Sequence, residues 1–282
     1  MESRTIDLGQ GRSLHVVQRG KGPDLVLLHG ALATHRDWLS GPFNPLASDF
    51  RVTALDRPGH GLSRRPRFEG TPRDQAAQIR RGLDALGVGR AIVCGHSMGG
   101  LVALALAEQF PESVAALVLL APIAFPEARP LEHSLIAPPA VPLVGPLLST
   151  LGEATIDRPL VDTIHKLMFG PQPVPPRWKE SYPYGDVLAA DAMVREGEEP
   201  AAILPFAPAG TLRIAEIATR ARIVTGTADR IVDPAWHARP LAQILPNARL
   251  TELEGIGHML HHVAAEEVLR AIKEAAELPE SV

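Results

Sequence analysis

The chain has 282 residues, of which 45% are hydrophobic, so it is long and apolar enough to bury a substantial core. This composition excludes a fibrous or largely disordered protein. The formal net charge is −4, so the chain lacks the basic surplus with which nucleic-acid-binding proteins attract phosphate. The short basic run of Arg64, Arg65 and Arg67 is accordingly predicted to be a solvated turn.

The cysteine content and the apolar runs bear on the cellular compartment. The single cysteine, Cys94, excludes an intramolecular disulfide and lies in an apolar run, which predicts a buried, unreactive thiol. The N-terminal residues are polar and alternating, without the apolar stretch of a signal peptide. No apolar run reaches the roughly 18 residues that a membrane span needs. We expect a cytoplasmic protein without a membrane span.

The predicted elements follow an alternating order. Residues 4–8 and 13–18 flank Gly-Gln-Gly and predict an antiparallel hairpin. Short apolar runs then alternate with longer helix-like segments. The predicted strands are 24–30, 51–56, 90–95, 114–122, 221–226 and 248–255, and the predicted helices are 73–87, 98–110, 234–245 and 263–277. This alternation predicts an α/β fold with a mostly parallel, eight-stranded sheet flanked by helices.

The alternation stops in the middle of the chain, where proline accumulates. The segment from Pro122 to Pro208 holds 16 of the 27 prolines, and proline ends helices and removes backbone donors. The segment is too long for a simple loop, and its many apolar side chains argue against a disordered linker. We therefore predict that residues 1–122 and 213–282 form the core and that 123–212 form an inserted helical lid.

Ser97 is the first candidate for chemistry. It lies in Gly95-His96-Ser97-Met98-Gly99, a G-x-S-x-G pattern between a predicted strand and a predicted helix. A sharp strand-to-helix turn strains the serine backbone and requires small residues two positions away on either side. Such a turn lifts the hydroxyl clear of the sheet, which predicts that Ser97 is a nucleophile.

A serine nucleophile needs a base, and the base needs an acid to orient it. The order expected after a G-x-S-x-G turn is serine, acid, histidine, with the last two at the ends of later strands. Asp229 follows the predicted seventh strand and His258 the eighth. Asp233 is the alternative acid, although its position before Pro234 also suits a helix cap.

Other histidines compete with His258 for the role of base. His96 is next to Ser97, but adjacent residues on a sharp turn point apart, so it is predicted to pack or to line a pocket. His60 lies in the turn Arg-Pro-Gly-His-Gly and is predicted to be structural. His261 and His262 fall at the start of the last predicted helix, where capping or surface roles are expected.

Five ordered motifs carry a resemblance to a known family: LLHG at 27–30, ALDRPGHGLS at 54–63, CGHSMGG at 94–100, VTGTADRIVDP at 224–234 and EGIGHM at 254–259. Nearly the whole chain resembles the α/β-hydrolase fold superfamily, in its branch of capped serine esterases and cofactor-free haloperoxidase-like proteins. The resemblance implies an oxyanion hole formed by the backbone N–H groups of Ala31 and Met98. It also implies structural roles for His29 and for the turn of Asp56.

The nucleophile type limits the reactions expected within this family. Haloalkane dehalogenases and most epoxide hydrolases of this architecture use a carboxylate where this chain has Ser97. We therefore expect a carboxylesterase-like serine hydrolase that cleaves esters of small to medium apolar substrates through an acyl-enzyme. A carbon-carbon bond hydrolase, a lactonase, a thioesterase or a perhydrolase would use the same triad, and a low-turnover ligand receptor could also retain it.

No cofactor or metal is expected. The chain has no H-E-x-x-H, no cysteine pair and no glycine-rich nucleotide motif after a strand. The expected partner is a small-molecule ester, with no nucleic acid, and the protein is expected to be a monomer or a homodimer.

Overall fold

The computed structural model describes residues 1–126, 158–202 and 212–277. The parts of the predicted lid at 127–157 and 203–211, and the last five residues of the predicted core, lie outside the described residues. Within the described residues, no helix combines the length and the apolar character needed to cross a membrane.

One eight-stranded sheet organises the chain. Its strands are β1 (Glu2–Gly9), β2 (Arg12–Arg19), β3 (Asp24–Leu28), β4 (Arg51–Leu55), β5 (Ala91–His96), β6 (Val114–Leu120), β7 (Ala221–Gly226) and β8 (Ala248–Leu253). Their order is β1-β2-β4-β3-β5-β6-β7-β8. The pairs β1·β2 and β2·β4 are antiparallel and the others parallel, so the strands from β3 to β8 have their carboxyl ends at one edge. The predicted mostly parallel, eight-stranded sheet is thereby confirmed.

The helices flank the sheet, and four of them lie in the described part of the long connection between β6 and β7. They are α1 (His35–Ser40), α2 (Phe43–Leu46), α3 (Pro72–Ala85), α4 (Met98–Gln109), α5 (Arg158–Phe169), α6 (Pro176–Ser181), α7 (Tyr184–Val187), α8 (Ala190–Ala202), α9 (Ala238–Ile244), α10 (Leu260–Val263) and α11 (Ala265–Glu277). We call the connection that carries α5 to α8 the insertion.

The core consists of two apolar layers, one on each face of the sheet. Successive side chains of a strand point to opposite faces, and β3 shows this clearly. Leu25 and Leu27 pack in one layer with α11, whereas Val26 and Leu28 pack in the other with α3 and α4. A strand buried on both faces reads as a continuous apolar run, which is why the central strands are recognisable from sequence.

Element ends are where structure and expectation differ. The strand predicted over 24–30 ends at Leu28, so that His29 and Gly30 lie between the strand and a turn at 31–32. The helix predicted from residue 234 begins only at Ala238. The Asp233 carboxylate accepts the Ala235 N–H at 2.8 Å and thereby favours a turn before that helix. The short helices α1, α2 and α10 have no separate sequence signal.

Candidate active site

Ser97 occupies the sharp turn between β5 and α4. Its φ of 53° and ψ of −118° lie in a region that non-glycine residues rarely adopt, at a cost of about 1–3 kcal/mol. The backbone N–H of Ser97 donates to the Leu120 carbonyl at 2.9 Å, and its own carbonyl accepts from Gly100 and Ile123 at 2.9 and 3.2 Å. These bonds to β6 and to the following segment hold the strained turn in place.

The two glycines of the G-x-S-x-G pattern are required by close backbone contacts. A Cβ at Gly95 would lie within 3.0 Å of the Gly99 carbonyl, and a Cβ at Gly99 would lie within 3.0 Å of the Leu28 and His29 carbonyl oxygens. Neither neighbour is a flexible side chain that could move away. The turn therefore needs small residues on both sides of Ser97, as the sequence predicts.

Asp229 and His258 meet at the carboxyl ends of β7 and β8. His258 Nδ1 lies 2.8 Å from Asp229 Oδ2, and both side chains are almost fully buried. Asp229 Oδ1 accepts the backbone N–H groups of Ile231 and Val232 at 2.8 and 2.9 Å. Since an ionised carboxylate only accepts hydrogen bonds, this arrangement requires a proton on His258 Nδ1 and leaves Nε2 as the acceptor.

His96 lies between the serine turn and the loop of His258. Its Nε2 donates to the His258 carbonyl at 3.1 Å, and the two rings are 4.6 Å apart. Burial, with the neighbouring His261 and His258, holds the pKa of His96 well below its ordinary value, so the ring is neutral. Ser97 and His258 thus lie on adjacent loops, although the described residues include no hydrogen bond between the Ser97 hydroxyl and His258.

The two candidate oxyanion donors flank the serine. Met98 is the first residue of α4, and the N–H groups in the first turn of a helix have no partner within the helix. Ala31 follows Gly30, and a Cβ at Gly30 would lie 3.2 Å from the Ser97 Cβ. The peptide between Gly30 and Ala31 therefore passes directly beside the serine.

The alternative residues have other contacts. Asp233 is exposed, and its carboxylate accepts the Ala235 N–H at 2.8 Å. His29 Nδ1 donates to the Gly30 carbonyl at 2.8 Å, and Nε2 accepts the Arg57 N–H at 2.9 Å. Burial and the charge of Arg57 lower the pKa of His29 to about 3, which suits a neutral structural ring.

The expectation of capping or surface roles for His261 and His262 is wrong. Both Nε2 atoms donate to the buried Asp37 carboxylate, at 2.8 and 2.7 Å, because α10 places the two rings against α1. Trp178 Nε1 of the insertion donates to the same carboxylate at 2.9 Å. Burial would raise the pKa of Asp37, but His261 and His262 outweigh it and hold that pKa well below its ordinary value.

A second charged cluster joins the insertion to the loop after β4, and it corrects the prediction for the basic run. Arg65 is buried rather than solvated, and both Arg65 and Arg67 pair with Glu198 of α8. Only Arg64 is exposed. A local reading of the basic run could not reveal acidic partners about 130 residues away. The signal that the sequence does offer for these partners is the acidic run near the end of α8.

Three groups of side chains have donor atoms within 4.8 Å of one another, as a metal ion would require. They are His15, His35 and Asp56; Asp37, His96 and His261; and His60, Glu196 and Glu199. The Asp37 carboxylate already accepts three N–H donors, and the Glu199 carboxylate is paired with the Arg57 guanidinium. The carboxylates of these two groups are thus engaged by protein groups.

Comparisons with known proteins agree with this architecture. The family model described as alpha/beta hydrolase fold matches residues 23–265. A pimeloyl-[acyl-carrier protein] methyl ester esterase of Nitrosomonas europaea is 44% identical over 109 residues, which cover 39% of this chain and 41% of that protein. The chain therefore spans less than half the length of this relative.

Solved structures extend the likeness over the whole fold. The esterase EaEST from Exiguobacterium antarcticum superposes with a TM-score of 0.78 at 18% identity, covering 98% of this chain and 100% of the other. The bromoperoxidase from Bacillus anthracis gives a TM-score of 0.75 at 16% identity, with 98% and 100% covered. The sheet order, the strained turn at Ser97 and the family match lead to one conclusion: the chain belongs to the α/β-hydrolase fold family.

Proposed function

We propose that the protein is a carboxylesterase-like serine hydrolase that uses Ser97, His258 and Asp229 as its catalytic triad. The observation that carries the proposal is the 2.8 Å contact of His258 with Asp229, on a loop that packs against the strained turn of Ser97. The names of the similar proteins add weight, since an esterase occurs both among the curated relatives and among the solved structures.

The reaction begins with the attack of the Ser97 oxygen on the ester carbonyl carbon. His258 Nε2 accepts the serine proton, and the Asp229 carboxylate stabilises the imidazolium that forms. The negative charge on the carbonyl oxygen is bound by the N–H groups of Ala31 and Met98. His258 then protonates the leaving alcohol, the C–O bond breaks, and water repeats the sequence on the acyl-enzyme.

The insertion is proposed to be a lid that forms one wall of the substrate pocket. Phe169 and Trp178 of the insertion form a buried apolar cluster with Met259, the residue after His258. The apolar composition of the insertion supports an ester with a small to medium apolar group.

Hydrolysis of p-nitrophenyl esters with acyl chains of two to eight carbons tests the proposal. Wild type is expected to turn over the shorter esters, and Ser97→Ala should lower kcat by at least about 10⁴-fold. Equal release of nitrophenol by the two proteins would refute the proposed mechanism. A parallel series of thioesters and lactones identifies the preferred bond.

A further inference from the structure

We propose that Glu199 and Tyr182, both on the insertion, are positioning residues that hold the oxyanion-hole peptide of Ala31 in its productive orientation. This inference rests on the proposed function, because it concerns the same site. In this arrangement the insertion covers the pocket and also holds the backbone of the oxyanion hole from two sides.

The peptide between Gly30 and Ala31 is held through its carbonyl oxygen. The Gly30 carbonyl accepts hydrogen bonds from His29 Nδ1 at 2.8 Å and from Arg57 Nη2 at 3.1 Å. In a planar trans peptide the carbonyl and the following N–H point in opposite directions. Holding the Gly30 oxygen on one side therefore sets the direction of the Ala31 N–H on the other.

Arg57 depends on Glu199 for its counter-charge. The Arg57 side chain is fully buried, and a buried guanidinium without a counter-charge is strongly destabilising. Glu199 supplies that charge through two contacts, Nη1 to Oε1 at 2.5 Å and Nη2 to Oε2 at 3.1 Å. The same guanidinium donates through Nε to the His29 carbonyl at 2.8 Å.

The Glu199 carboxylate is itself fixed by neighbours from the core. Gln75 Nε2 donates to Oε1 at 2.8 Å, and His60 Nε2 lies 2.9 Å from the same oxygen. Burial would raise the pKa of Glu199, but the charges of Arg57 and His60 outweigh it and hold that pKa well below its ordinary value. The ionised carboxylate thus links α8 of the insertion, through the Arg57 guanidinium, to residues 29–32, which we call the oxyanion loop.

The backbone on the other side of Ala31 is held by Tyr182. The Tyr182 hydroxyl donates to the Leu32 carbonyl at 2.8 Å. Leu32 has a φ of 50°, in the left-handed region that non-glycine residues rarely occupy. Burial raises the pKa of Tyr182, so its hydroxyl remains a donor. The insertion therefore restrains the backbone on both sides of the candidate oxyanion donor.

The chain offers matched controls for both residues. Glu198 is also buried on α8, but its carboxylate pairs with Arg65 and Arg67, which belong to the loop after β4 and not to residues 29–32. Tyr184 packs edge-on against the Tyr182 ring at 4.8 Å, whereas the hydrogen bond to the Leu32 carbonyl comes from the Tyr182 hydroxyl. Glu198 and Tyr184 contribute to the docking of the insertion without holding the peptide of Ala31.

The experiment compares Tyr182→Phe with Tyr184→Phe and Glu199→Gln with Glu198→Gln. It measures kcat and KM for p-nitrophenyl butyrate and the inhibition constant of an aryl trifluoromethyl ketone, whose serine adduct carries the oxyanion. Loss of a whole oxyanion donor lowers the rate by about 10²–10³-fold, so loosening one should cost about tenfold in kcat. For Tyr182→Phe and Glu199→Gln we expect this loss in kcat, an equal rise in the inhibition constant of the ketone and an unchanged KM. For both controls, kcat and the inhibition constant should stay within about twofold of the wild-type values.

The inference is overturned if Tyr182→Phe retains wild-type kcat and ketone affinity, or if each control loses as much kcat as its partner. Because Glu199→Gln weakens a buried ion pair and can lower the yield of folded protein, Tyr182→Phe decides if that variant does not fold. An inactive Ser97→Ala enzyme together with a fully active Tyr182→Phe enzyme would overturn only this inference. An active Ser97→Ala enzyme would overturn the proposed function itself.

Discussion

The Asp229→Asn substitution tests the proposed acid of the triad with little change in shape. Asparagine retains an oxygen that can accept the two backbone N–H groups of Ile231 and Val232. The reverse orientation of the amide would set its NH₂ group against these two donors, so the orientation is fixed. The NH₂ group then takes the place of Asp229 Oδ2 and faces His258 Nδ1, which is 2.8 Å from that oxygen in the wild type.

The consequence is a change of tautomer in His258. Nδ1 must accept from the amide, so the proton moves to Nε2, which can no longer take a proton from Ser97. In a Ser-His-Asp enzyme a wrong tautomer of this kind costs about 10⁴-fold in kcat. At about 1.36 kcal/mol per factor of ten, this corresponds to about 5.5 kcal/mol of activation free energy.

Initial rates with p-nitrophenyl butyrate measure the effect, and Asp233→Asn is the control. Asp233 is exposed and bonds to the Ala235 N–H, so its variant should retain kcat within about twofold. Urea unfolding of both variants checks that the fold is intact. A greater loss from Asp233→Asn, or a loss of less than about tenfold from Asp229→Asn, would refute the assignment of the acid.

Three further predictions concern stability. Asp37→Ala removes a buried carboxylate that accepts hydrogen bonds from two histidines and Trp178. This substitution should lower the free energy of unfolding, measured by urea titration, by about 3–5 kcal/mol. The control is Asp162→Ala, at an exposed pair with Lys179, which should leave the urea midpoint unchanged. Gly99→Ala forces a Cβ against the Leu28 carbonyl and should cost about 1–3 kcal/mol, with a thermal midpoint equal to wild type as the contrary result. His29 has a folded-state pKa of about 3 against an ordinary value of 6.5, so the unfolded chain binds the extra proton between these pH values and stability falls as the pH falls through that range. His29→Gln should therefore reduce the slope of the unfolding free energy against pH, between pH 3 and 6.5, by the equivalent of about one bound proton. An unchanged slope would contradict the assigned neutral state of His29.

The fold could be predicted from sequence because its signals are local and ordered along the chain. The buried central strands are continuous apolar runs, and the β7 range of 221–226 agrees with the prediction at both ends. The pattern around Ser97 was equally readable, since the backbone contacts of Gly95 and Gly99 leave no room for larger residues. Asp229 and His258 follow from strand ends, and their side chains lie 2.8 Å apart, while their catalytic roles stay a prediction.

The contacts between the insertion and the core could not be predicted, because each joins residues far apart in the chain. Arg57 and Glu199 are 142 residues apart, and Asp37 and His261 are 224 apart. Neither Asp37 nor Glu199 has a local pattern that marks it as buried, and charged residues are rarely buried without a partner. Only the tertiary structure supplies the partners that keep these side chains ionised in the interior.

Covalent labelling with a fluorophosphonate tests most directly whether Ser97 is the nucleophile. The account predicts one phosphonyl group per folded chain, located by mass spectrometry on Ser97, with ester hydrolysis lost in proportion to labelling. Heat-denatured protein and the Asp229→Asn variant should react far more slowly, because neither holds a base in place for the serine. A label on another residue, or full hydrolysis after stoichiometric labelling of Ser97, would contradict the account.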